Sequence, residues 1–65
     1  MQQLQDAVAL HNEGELDQAE AIYRQILAVD NSNFYALNFL GCLCRLRGLY
    51  SEGIELLKKA VAIDL

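Results

Sequence analysis

Hydrophobic residues recur at three- and four-residue steps along the whole chain, and no stretch alternates as a strand would. Residues 2–12 carry Leu4, Ala7, Val8 and Leu10 on one side, and residues 16–29 carry Leu16, Ala19, Tyr23, Ile26 and Leu27. Residues 34–47 carry Leu37, Leu40, Gly41 and Cys44. Residues 51–64 carry Ile54, Leu57, Ala60, Val61 and, less regularly, Ile63. The pattern predicts four helices and an all-α fold.

The punctuation agrees with that division. Gly14 and Gly48 stand just past the first and third segments, where a helix commonly ends in a left-handed residue. Asp30-Asn31-Ser32-Asn33 is a run of turn and N-cap formers between the second and third segments. Ser51 is the N-cap candidate of the fourth. Short connections predict that consecutive helices lie antiparallel. Sliding the chain by 34 residues superposes Gly14 on Gly48, Ala19 on Gly53, Tyr23 on Leu57 and Leu27 on Val61. Apolar falls on apolar, small on small and turn glycine on turn glycine, so the chain reads as one helix pair repeated.

In this spacing the sequence resembles the tetratricopeptide repeat family, whose pattern runs W-x₂-L-G-x₂-Y, then A-x₃-F, then P. In the second repeat Leu37 takes the Trp slot, Leu40 and Gly41 the Leu-Gly slot, and Cys44 the Tyr slot. Gly53 and Leu57 take the later Ala and Phe slots; in the first repeat Ala19 and Tyr23 do so, and Ala7 stands for the first glycine. Gln3 and Asp6 occupy apolar slots, which suits an end repeat whose outer face meets water. Both repeats lack the terminal Pro, with Asn31 and Leu65 in its place.

The resemblance implies one domain over residues 1–65, with repeat one at about 1–33 and repeat two at about 34–65. It implies antiparallel helix-turn-helix units forming a right-handed α-solenoid fragment. It also implies a concave face, lined by the first helix of each pair, that holds a protein or peptide. Carried over by position, the lining is Leu4, Gln5, Val8, His11 and Asn12, with Tyr35, Asn38, Phe39, Cys42 and Arg45. Aromatics and Arg are enriched at interfaces, which favours this face; the plainer reading is that Phe39 packs beneath a neighbouring helix. Repeats with this Ala- and Leu-rich look also resemble the N-terminal repeats of bacterial proteins that carry glycosyltransferase or similar domains downstream. A self-associating structural unit is the third reading.

The slots have a physical account. Where two helices cross closely the contact needs small residues, and Gly41 with Gly53 and Ala7 with Ala19 supply them. Gly41→Leu is expected to overpack its crossing. Gly53→Ala is expected to be neutral or stabilising, because helical Gly costs roughly 1 kcal/mol relative to Ala.

Composition narrows the function further. The net charge of −4 divides into six carboxylates against Arg24 in residues 1–33, a net −5, and a net +1 in residues 34–65. An acidic chain with no Lys/Arg run argues against nucleic acid. No apolar run approaches bilayer-spanning length, and no signal peptide is visible, so the chain reads as cytoplasmic. Cys42 and Cys44, two apart on a helix, point away from each other and cannot bridge, and with His11 they lack the spacing of a zinc site. Glu13, Glu15, Asp17 and Glu20 gather where a helix dipole favours negative charge, the place of a solvated cluster and not of a catalytic pair. His11 has no triad partner and there is no phosphate loop, so no enzyme, cofactor or metal is expected. Two repeats fall short of the roughly three that stability normally needs, so a homodimer or higher oligomer through the C-terminal helix is expected.

Overall fold

The computed structural model describes residues 2–63. Four helices follow one another: α1 (Gln2–Asn12), α2 (Leu16–Val29), α3 (Phe34–Leu46) and α4 (Tyr50–Ile63). Among the described residues there is no strand. Asp64, which the sequence reading assigned to the last helix, and Leu65, which it set in the place of the terminal Pro, lie outside them.

The two helix turns are alike bond for bond. After α1, Gly14 takes φ +85° and the Glu15 N–H donates back to the Leu10 carbonyl at 2.9 Å. After α3, Gly48 takes φ +80° and the Leu49 N–H donates to the Cys44 carbonyl at 2.8 Å, the same bond 34 residues on. These closures satisfy carbonyls a helix end otherwise leaves open, and they need a left-handed residue. The next helix starts at once: Ala19 N–H donates to Glu15 O, and Gly53 N–H to Leu49 O. Leu49 therefore holds the cap position of α4, and the expectation for Ser51 is corrected, since it lies inside the first turn. The turn closure feeds straight into the helix and leaves no room for a separate cap. Asn33 behaves as its type predicts: its Oδ1 accepts the Ala36 N–H at 3.0 Å at the start of α3.

Each pair packs on itself, α1 with α2 and α3 with α4, while α3 also packs on α2 and touches α1. Ala7, Ala19, Tyr23, Leu40, Leu43 and Cys44 form the core and are fully buried. Gln3 and Asp6 are exposed, as expected of an outer face.

The two crossings differ in closeness. Ala7 and Ala19 fit with their methyls in place. A Cβ on Gly41 would lie 2.8 Å from Leu57 Cγ, and one on Gly53 would lie 2.9 Å from the Gly41 carbonyl oxygen. The expectation that Gly53→Ala is tolerated is thereby overturned. The helical gain of about 1 kcal/mol is opposed by contact with a backbone atom that side-chain rotation cannot relieve.

Candidate functional site

The outward side of α1 and α3 rests on Tyr23, a residue of α2. Tyr23 is the largest fully buried side chain, and its hydroxyl lies 3.2 Å from His11 Nδ1. The His11 ring meets Tyr23 edge-on, and Phe39 stacks on it at a centroid distance of 6.1 Å and an interplanar angle of 15°. One aromatic core residue thus carries a side chain from α1 and another from α3. Burial pushes the Tyr23 phenol above its ordinary range, with Cys42 a smaller contribution of the same sign.

The expected lining residues divide into two groups. His11, Phe39 and Leu4 are half-buried; Leu4 and Phe39 pack against the core, so part of their role is structural. Asn12, Tyr35 and Arg45 are exposed, and Val8, Asn38 and Cys42 are half-buried. Tyr35 is 57% exposed, one helical turn from Phe39, and meets Phe34 edge-on. Cys42 and Arg45 sit beside Leu46 and Tyr50 in a shallow depression at the α3–α4 edge, away from the α1 residues.

Sequence reasoning missed the charged seam between the pairs. Arg47 Nη2 lies 2.7 Å from Asp17 Oδ1, and its Nη1 donates to Glu20 at 3.0 Å. Glu20 also accepts from Arg24 at 2.8 Å, and Arg24 reaches across to Glu52 on α4 at 2.9 Å. The hydrogen bonds that Arg24 donates to Glu20 and Glu52 raise its guanidinium pKa above the usual value. Half of the supposed dipole cluster is therefore a tie between helices, since Asp17 and Glu20 both meet Arg47. Arg45 is the one arginine with no ion pair among the described residues.

The chemistry of the remaining groups is quiet. Both cysteines are free; Cys44 is buried, and burial, followed by the nearby Glu52, raises its thiol pKa. No group of three or more metal-binding side chains occurs among the described residues, and none of their helices is long and apolar enough to cross a membrane.

Residues 7–33 match the family described as tetratricopeptide repeat. No curated protein and no solved structure matches the chain. Solenoid repeats of this kind present extended concave surfaces to other proteins. The turn bonds of the matched segment recur 34 residues on, so both helix pairs are similar to the tetratricopeptide repeat, an assignment that the match over residues 7–33 supports.

Proposed function

We propose that the chain is a single non-catalytic domain of the cytoplasm that binds a protein or peptide segment along the exposed side of α1 and α3. The observation that carries this is the contrast among its arginines. Arg24 and Arg47 are bound into the seam, whereas Arg45 is exposed and unpaired among the described residues. On the same helix Tyr35 stands 57% exposed with Asn38 one turn on. An uncommitted Arg, an exposed Tyr and an Asn supply anchor, apolar area and hydrogen bonds. Leu4, Val8 and His11 continue the surface on α1, with Asn12 at its end. Among the described residues of that helix there is no Lys or Arg, so a strongly anionic ligand is not favoured.

We further propose that the chain self-associates through α4, where Ile54 and Val61 are 49% and 60% exposed.

Selection from a displayed random-peptide library, with the purified protein as bait, tests the groove. Peptides selected on the parent are expected to lose affinity for Tyr35→Ala, Asn38→Ala and Arg45→Ala while the melting temperatures stay unchanged. Selected peptides that bind all three variants like the parent would move the site elsewhere.

A further inference from the structure

The exposed stripe on α4 has an internal counterpart that says what kind of surface it is. Shifted by 34 residues, Ile54, Leu57, Lys58 and Val61 correspond to Glu20, Tyr23, Arg24 and Leu27 of α2. Those four are among the residues by which α2 meets the second pair: Glu20 takes Arg47, Tyr23 takes Phe39, Arg24 takes Glu52, and Leu27 packs against the core. On α4 the four positions line one apolar depression. With Tyr50 they also follow the three-and-four spacing of a coiled-coil seam, over about 16 Å of helix axis.

The other end of the molecule cannot fill this surface. The α3 residues of the core and its edge include Phe39, Leu40 and Leu43, and their α1 counterparts are Gln5, Asp6 and Ala9, all exposed. Head-to-tail stacking of copies would set an amide, a carboxylate and a methyl against Ile54, Leu57 and Val61. Asp6 would be taken out of water against an apolar surface, which costs free energy.

The flank of the stripe fits a second copy of α4 instead. Glu55 and Lys58 lie on the same side, 4.0 Å apart and about 70% exposed. On an antiparallel copy their order reverses, so Lys58 of each chain comes opposite Glu55 of the other, and the apolar rows face across the axis. We propose that two copies pair back to back, α4 antiparallel on α4 about a twofold axis, as a closed dimer that cannot extend into a filament. This rests on the self-association reading above and adds its geometry and symmetry. It leaves the α1 surface of each copy outside the interface, so the dimer displays two.

Sedimentation velocity over a dilution series, with charge-reversed variants, decides it. The parent is expected to move between monomer and dimer with no larger species, and Val61→Glu to be monomeric with unchanged helix content. Glu55→Lys and Lys58→Glu each place like charges across the seam, weakening the dimer about tenfold. An equimolar mixture of the two is expected to recover parental dimer, because an all-basic flank then meets an all-acidic one. A parent that stays monomeric, species that grow beyond two, a dimer that survives Val61→Glu, or a mixture no tighter than its components would each overturn the proposal. Tyr35→Ala is expected to leave the dimer intact, so failure of the groove reading and failure of the dimer register separately.

Discussion

The carbonyl oxygen of Gly41 sits where it would be 2.9 Å from a Cβ on Gly53, so the α3–α4 crossing is built on two absent side chains. Gly53→Ala is expected to lower stability by roughly 1–3 kcal/mol, the usual cost of overpacking. Gly41→Ala is expected to cost less, because its closest neighbours are the Leu57 side-chain carbons Cγ and Cδ2 at 2.8 and 2.9 Å, which can turn. Gly41→Leu exceeds both. Thermal melts of the three variants give the order, and a Gly53→Ala protein that melts at or above the parent would contradict it.

The arginine seam predicts a salt-sensitive joint. Arg47→Met is expected to destabilise by about 1 kcal/mol, since its two partners are partly solvated and such pairs are individually weak. The difference from the parent is expected to shrink in high salt. Denaturant titrations at low and high ionic strength measure both quantities.

Alkaline pH acts through two buried groups. The folded state holds the protons of Cys44 and Tyr23 above their ordinary values of 9.0 and 10.0. Their stabilising contribution is complete below those values and is lost as pH rises through the raised ones. Melting temperature is therefore expected to fall from about pH 9 upward. Tyr23→Phe is expected to flatten the upper part of that fall; an unchanged slope would remove Tyr23 from the account.

Phe39→Ala and Tyr35→Ala are expected to separate fold from surface. Phe39 stacks on Tyr23, so its truncation lowers stability by about 3 kcal/mol or somewhat less, given its partial exposure. Tyr35, 57% exposed, is expected to change the melt by less than about 0.5 kcal/mol. Paired melts check this, and they caution against reading a binding defect of Phe39→Ala as loss of a contact.

The helices were legible because their apolar spacing and turn glycines are local signals, and Gly14 and Gly48 perform as their positions imply. Gly53 was misjudged for the opposite reason. Its requirement comes from a carbonyl twelve residues away, and propensity carries no information about how closely two backbones approach. Ser51 has the right chemistry for a cap, but the Leu49–Cys44 turn bond had already fixed where α4 begins. The acidic residues after Gly14 were read with their own helix, while the cation that organises two of them arrives from α3. The exposed side of α1 and α3 was readable as positions, but not which of its members the core had claimed.

Tyr23 carries a further consequence for any ligand of the proposed groove. It is gripped by His11 at its hydroxyl and edge and by Phe39 on its face, so the groove floor cannot give way without opening the hydrophobic core. Adaptation on association then falls to the incoming segment, which must adopt a shape the protein already has. Affinity is expected to respond to stiffening of the ligand, by cyclisation or stapling, far more than to loosening of the receptor. On the groove proposed above, the domain would act as a mould, and its selectivity would be a matter of which chains can be cast in it.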